Sequence, residues 1–92
     1  MRQHEHDIMT RILARAPEAL EALMASYGTL LQHHLQRLLR DAAAAEDIAQ
    51  EVFLRVWDRA EQWREQGSLQ AWLLRIATNM ALNHLRTIHR RR

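Results

Sequence analysis

Residues that interrupt helices are almost absent from this chain, which constrains its fold more than any other feature of the sequence. The 92 residues include one proline, Pro17, and two glycines, Gly28 and Gly67. Alanine and leucine supply 14 residues each, and both favour helices. A chain of this length forms one small hydrophobic core and no second domain. The sequence therefore predicts a single all-α domain.

Four segments carry apolar residues every three or four positions, as expected of helices that bury one face. Their starts are marked by Asp7 and Ser68, which can accept hydrogen bonds as N-caps, and by Pro17, which suits a first turn. We predict a compact bundle of three long helices preceded by a short helix. The first predicted helix is Ile8–Arg15, and the second runs from Pro17 to the segment that begins at Asp41. The third is predicted at about Ala44–Gln62. The fourth follows a loop at 63–67 and ends at about His89.

The apolar face of each predicted helix is expected to form the core. Trp57 and Trp72 lie on such faces, whereas Trp63, beside the loop, is interpreted either as a lid on the core or as a surface for base stacking. The predicted core positions are Ile8, Ile12 and Leu13; Leu20, Met24, Tyr27, Leu31, Leu35 and Leu38; Ile48, Val52, Phe53, Val56 and Ala60; and Leu69, Trp72, Leu73, Ile76 and Met80.

Charge is distributed unevenly along the chain, although the net charge is only +2. Residues 1–65 hold 8 arginines and 11 acidic residues, whereas residues 66–92 hold 5 arginines and no acidic residue. An acid-free basic segment is typical of proteins that bind nucleic acid, although basic tails are also common without that role.

Polar residues form a band along the fourth predicted helix. Arginine supplies phosphate contacts and asparagine supplies a donor and an acceptor suited to a base edge. A solvated, arginine-rich helix end stabilised by the helix dipole is the alternative. The band spans an arc of roughly 80°, predicted to lie away from the side of Trp72, Ile76 and Met80, and comprises Arg75, Asn79, Asn83, Arg86 and Arg90.

An acidic and amide-bearing face is predicted on the outer side of the third helix. Leu54 lies within it, so the face could dock a protein around an apolar anchor, or could simply be solvated. The polar members are Glu46, Asp47, Gln50, Glu51 and Asp58.

Features of enzymes, metal sites and membrane segments are not found in the sequence. Cysteine is absent, and His84 and His89 lack the spacing of a helical metal-ligand pair. No apolar run is long enough to span a bilayer, and the polar N-terminus is unlike a signal peptide. We expect a soluble, cytoplasmic, monomeric protein that is not an enzyme and needs no cofactor or metal.

Two segments of the chain resemble bacterial RNA polymerase sigma factors of the sigma-70 family, closest to the extracytoplasmic-function (ECF) type. The segment from Ala45 to Trp57 (AEDIAQEVFLRVW) resembles region 2.2, and that from Gly67 to Asn79 (GSLQAWLLRIATN) resembles regions 2.3 and 2.4. The resemblance covers about Ile8–Arg92. It implies a flexible N-terminus at 1–7, a region 2 domain at 8–89 and the start of a basic linker at 90–92.

The resemblance also implies partners for both surfaces. Region 2.2 docks on the clamp helices of the polymerase β′ subunit, and regions 2.3 and 2.4 read and help melt the promoter −10 element as single-stranded non-template DNA. The implied polymerase-binding residues are Asp47, Gln50, Glu51, Leu54, Arg55 and Asp58. The implied DNA-binding residues are Trp63, Arg64, Gly67, Ser68, Trp72, Arg75, Asn79, Asn83, Arg86 and Arg90, with a base pocket at Trp63–Leu69.

The chain departs from the housekeeping members of that family in two respects. Those members carry two consecutive tryptophans in the melting region, where this chain has Trp72 followed by Leu73. ECF factors also carry region 4, which reads the −35 element beyond a linker, whereas this chain stops at Arg92. We therefore expect weaker DNA melting and interpret the chain as an excised domain rather than a truncated protein.

Two alternatives stay open from the sequence. The chain could be a helical interaction domain bound mainly by an anti-sigma factor, a regulator that commonly covers these surfaces in the ECF group. It could also be a duplex-reading helix-turn-helix regulator, although the loop at 63–67 is long for that motif.

Overall fold

Four α-helices and one 3-10 turn make up the part of the chain that the computed structural model describes, residues 2–63 and 67–91. No strand occurs in these residues, so the predicted all-α bundle is confirmed. The elements are α1 (Arg2–Leu13), α2 (Pro17–Leu39), α3 (Ala42–Asp58), the 3-10 turn Ala60–Gln62, and α4 (Leu69–Arg90).

Helix α1 is longer at its start than the sequence predicts. It begins at Arg2 rather than Ile8, so Asp7 lies inside the helix, where its carboxylate is 3.6 Å from Arg11 Nε, and does not cap it. The first turns are held by tertiary contact, because the Tyr27 hydroxyl of α2 donates to Glu5 Oε1 at 3.5 Å. Burial, and secondarily the Glu5 carboxylate, raises the pKa of Tyr27 above its usual value of 10.0.

The end of α1 is closed by a residue in the left-handed conformation. Arg15 has φ 62°, its N–H donates to Ile12 O at 2.9 Å, and the Ala16 N–H donates to Arg11 O at 3.0 Å. These two bonds form a Schellman motif in which glycine is the usual residue. The Arg15 guanidinium lies 5.2 Å from the centre of the Trp57 ring, and its Nη1 donates to Trp57 O. Arg15 thereby ties the α1–α2 turn to the C-terminal end of α3.

Replacing Arg15 by glycine tests whether these contacts offset the backbone cost. Arg40 is a matched control, because it also has a positive φ, 53°, and its side chain forms no hydrogen bond, ion pair or ring contact among the described residues. We expect Arg40→Gly to raise the free energy of unfolding by about 0.5–1 kcal/mol, because glycine relieves left-handed strain at some entropic cost. The free energy of unfolding of the Arg15→Gly variant should be about 1–2 kcal/mol lower than that of the Arg40→Gly variant. The reason is that Arg15→Gly also removes a cation–π contact and a charged hydrogen bond.

Urea unfolding followed by circular dichroism at 222 nm measures both variants. Equal stabilisation by the two glycine substitutions would show that the contacts of the Arg15 side chain with Trp57 contribute nothing to stability.

Helix α2 begins at Pro17, as predicted, but its buried face follows a different line along the helix. Ala19 and Leu23 are fully buried with Leu31 and Leu35, whereas Met24, predicted to lie in the core, is 41% exposed. Residues four apart drift about 40° around a helix, so a row at this spacing turns gradually. Helix α2 packs against α1, α3 and α4.

Ser68 caps α4 as predicted, whereas the cap of α3 at Asp41 was not predicted. Asp41 accepts from the Ala44 N–H at 3.1 Å and Ser68 accepts from the Ala71 N–H at 3.3 Å. Helix α3 starts two residues before the predicted position and ends at Asp58, after which a 3-10 turn replaces the predicted helical end. The core positions predicted on α3 are all buried: Ile48, Val52, Phe53, Val56 and Ala60.

The three long helices run in alternating directions. A two-residue connection joins α2 to α3, so these neighbours are antiparallel. Gln62, at the end of the 3-10 turn, lies beside Trp72, whereas Ile48 lies beside His84, so α3 and α4 are also antiparallel. Helices α2 and α4 therefore run in the same direction, joined by a 2.8 Å hydrogen bond between His34 Nε2 and Thr78 Oγ1.

Among the described residues, we find no helix with the length and apolar character needed to traverse a lipid bilayer.

Candidate functional site

The six side chains that the resemblance implies for polymerase binding lie on the outer side of α3 and form one exposed surface, the α3 face. Leu54 is 58% exposed, the largest exposed fraction among the large apolar residues of the described chain. The opposite side of the helix is packed into the core, which fixes the direction in which this face points. The α3 face comprises Asp47, Gln50, Glu51, Leu54, Arg55 and Asp58.

A shallow depression surrounds Leu54 on the α3 face. It has a volume of about 250 Å³ and is lined by Glu51, Leu54, Arg55, Asp58 and Arg59. Within the described residues, these four charged side chains form no hydrogen bond or ion pair with each other. An apolar anchor inside a ring of unpaired charges is a surface suited to another protein, because a partner can satisfy the charges while it buries the leucine.

The polar band of α4 is exposed along its whole length, as predicted: Arg75, Asn79, Asn83, Arg86 and Arg90. The side chains of Arg75 and Asn79 contact no hydrogen-bond partner in the described parts of the chain. Asn83 differs, because its Oδ1 accepts from Arg86 Nη1 at 3.3 Å. Asn79 is thus the asparagine with a free donor and a free acceptor.

Trp72 lies beside this band, and the prediction that it points away from the band is wrong. Trp72 and Arg75 line the same recess, since residues three apart lie about 60° from each other around a helix. The buried side of α4 is instead a row at four-residue spacing, Leu69, Leu73, Ala77 and Ala81. The predicted core residues Trp72, Ile76 and Met80 flank this row and are half-buried.

The recess at the start of α4 has a volume of about 380 Å³ and lies where the 3-10 turn approaches the helix. Half-buried Trp63 stands at its edge, and the buried Nε1–H of this residue has no hydrogen-bond partner among the residues described. Arg64, also predicted to bind DNA, lies outside the described residues. The lining residues are Gln62, Trp63, Gly67, Ser68, Ala71, Trp72 and Arg75.

A groove between α3 and α4 joins the two predicted surfaces. Its volume is about 290 Å³, and Glu51 and Arg55 of the α3 face lie across it from Asn83 of the polar band. His84 and Thr87 complete its polar lining. Sequence reasoning missed this groove because the period of one helix does not reveal which flank of its neighbour lies against it.

Residues able to hold a metal ion are not gathered anywhere in the described structure. No group of three or more histidine or carboxylate side chains comes together there. The arrangement offers hydrogen bonds, charge and aromatic surface, which are the chemistry of recognition.

Comparison with known proteins identifies the family. The model for sigma-70 region 2 matches residues 23–92. The chain therefore belongs to the sigma-70 family of RNA polymerase sigma factors and carries region 2 of the ECF type. No solved structure matches it at a significant level.

Curated relatives carry the same family names. The chain is 49% identical over 55 residues to a probable RNA polymerase sigma factor, RfaY, of Xanthomonas campestris, covering 60% of this chain and 14% of the relative. It is 29% identical over 83 residues to the RNA polymerase sigma-H factor of Pseudomonas aeruginosa, covering 90% and 43%. It is 36% identical over 77 residues to the ECF RNA polymerase sigma factor SigL of Mycobacterium tuberculosis, covering 80% and 44%. The chain thus spans less than half the length of these relatives.

Proposed function

We propose that this domain serves transcription initiation, a role without an enzymatic step. The α3 face docks on the clamp helices of the polymerase β′ subunit, while the recess and the polar band of α4 hold the opened −10 element. The observation that carries the proposal is that adjacent helices present an apolar anchor among charges on one side and an aromatic recess beside unpaired Arg75 and Asn79 on the other.

The recess suits a base of the non-template strand. Its volume of about 380 Å³ is in the range of small-molecule sites. Trp63 and Trp72 supply aromatic surface, and stacking on such side chains contributes about 1–3 kcal/mol per base. Unstacking a base costs a few kcal/mol, so the protein favours open DNA by binding the unpaired base better than the paired one.

The polar band extends from the recess along α4. Arg86 and Arg90 lie two to three turns beyond Asn79, where they follow the phosphates of the upstream DNA. Because these contacts are electrostatic, DNA binding weakens steeply as salt rises. The same proposal includes an anti-sigma factor that covers the α3 face and competes with polymerase for it.

Asn79→Ala tests base readout at the recess. With core RNA polymerase and single-stranded −10 oligonucleotides, we expect affinity for the preferred sequence to fall about tenfold or more, since a well-placed base contact contributes about 1–3 kcal/mol of discrimination. Affinity for other sequences should change little. Fluorescence anisotropy across a panel of oligonucleotides measures both.

Asn83→Ala is the matched control, because Asn83 Oδ1 is already bonded to Arg86. Asn83→Ala should lower the affinity for all oligonucleotides to a similar degree, and by less than Asn79→Ala lowers the affinity for the preferred sequence. Unchanged affinity of the Asn79 variant for every oligonucleotide would remove Asn79 from the proposed site.

A further inference from the structure

We propose that the C-terminal half of α4 docks an amphipathic helix of a partner protein, whose apolar side is bordered by aspartate or glutamate. The surface is a ridge of three large apolar side chains, Leu82, Leu85 and Ile88, which we name the α4 ridge. Neither the recess nor the α3 face includes any of these residues.

The side chains of the α4 ridge are more exposed than is usual for large apolar residues. Leu82 is 41% exposed, Leu85 is 37% exposed and Ile88 is 44% exposed. They make up three of the six large hydrophobic side chains that are exposed in the described chain. Single exposed apolar residues are ordinary, but three on consecutive turns of one helix form a continuous apolar surface.

The ridge continues the side of α4 that α2 covers. Thr78, which bonds to His34 of α2, and Leu85 are seven residues apart, so they point within about 20° of each other. His34 and Thr78 are bonded to each other and so lie at the same level of the two parallel helices. Beyond that level α2 extends about 7.5 Å, to Leu39, whereas α4 extends about 15 Å to reach Ile88. Helix α2 therefore ends before Leu85, and the same apolar face continues without a cover.

Positive charge borders the ridge on both sides. Measured around the axis of α4, Arg86 lies about 40° from Leu82 on one border of the ridge. Arg91 lies about 60° from Ile88 on the other border. Residues 66–92 contain no acidic residue, and among the described residues neither arginine forms an ion pair with an acid of another helix. An apolar ridge between two arginine borders is complementary to a helix with an apolar stripe between carboxylates.

The same charges oppose two other occupants. A second copy of this chain would bring arginine borders against arginine borders, which is repulsive. DNA would satisfy the arginines, but its phosphates would leave the leucine and isoleucine surface without an apolar partner. The ridge thus fits an acidic helix better than either alternative.

The test uses a designed helical peptide of about 20 residues, long enough to form a helix, with leucines at heptad a and d positions, glutamates on both borders and a fluorescent label. We expect the intact chain to bind it, and the double variant Leu85→Gln, Ile88→Gln to bind at least tenfold more weakly. Arg86→Gln with Arg91→Gln should weaken binding about fivefold and flatten its salt dependence. Met24→Gln, which changes an equally exposed residue on α2, should leave the affinity unchanged.

Three results would overturn the proposal: equal affinity for a peptide with lysines on its borders, equal weakening by Met24→Gln, or a dimer in analytical ultracentrifugation that the ridge substitutions dissociate. Because the assay contains neither polymerase nor DNA, its outcome is independent of the proposed role in initiation. Circular dichroism of each variant verifies that loss of binding is not loss of fold.

Discussion

Replacing Gln50 and Leu54 together by alanine is expected to abolish binding to core RNA polymerase while the domain stays folded. Leu54 is 58% exposed at the centre of the α3 face, so its truncation removes little from the core. Central apolar anchors of interfaces lose about 2–4 kcal/mol when truncated, which is roughly 30- to 1000-fold in affinity. Titration of the fluorescently labelled domain with core polymerase measures the change.

Met24→Ala provides the matched control for this prediction, since it also truncates an exposed apolar side chain on a long helix, 41% exposed. It should bind polymerase like the unchanged chain, and the free energies of unfolding of the two proteins should agree within about 0.5 kcal/mol. If the double variant still captures β′ as well as the unchanged chain does, the α3 face is not the polymerase surface.

The success of the fold prediction has a local origin. Pro17 and Ser68 act through neighbouring backbone groups, and the predicted cap at Ser68 makes its hydrogen bond in the structure. Such signals need no knowledge of the rest of the chain. Leu13 shows their limit, because it lies about 100° around α1 from Ile12, at the edge of the buried face, and is 51% exposed.

Tertiary contact explains the parts of the fold that the sequence did not predict. The polar segment before Ile8 lacks an apolar period, yet it is helical and is held near Glu5 by Tyr27, 22 residues away. The buried face of α2 turns gradually around the helix, and α2 packs against three other helices, α1, α3 and α4. These properties belong to pairs of helices, and the period of a single helix carries no information about them.

The candidate site divides in the same way. Exposure of the α3 face and of the polar band could be predicted, since each is the reverse of a buried row on its own helix. The recess and the groove could not, because each lies between two elements. Placing Trp72 opposite Arg75 was an error in angle, and the correction strengthens the site, since the aromatic ring and the guanidinium line one recess.

Leu73→Ala is expected to have the largest effect on stability of any substitution considered for α4. Leu73 is fully buried in the row that packs α4 into the core. Truncating a buried leucine costs about 2–5 kcal/mol, a large part of the roughly 5–14 kcal/mol expected for a domain of this size. Urea unfolding should show a much lower midpoint, and Leu74→Ala, which truncates the half-buried neighbour, should lose about half as much or less.

The burial of residue 73 also determines the effect of placing a second tryptophan there. The resemblance to housekeeping sigma factors places a tryptophan where this chain has Leu73, which suggests that Leu73→Trp restores an aromatic surface for melting. The structure indicates the opposite, because the side chain at 73 points into a filled core rather than into the recess. Leu73→Trp should therefore destabilise the domain by about 1–3 kcal/mol through overpacking, without a gain in promoter opening. Faster opening with unchanged stability would show that position 73 reaches DNA and that the buried row of α4 shifts when the promoter is bound.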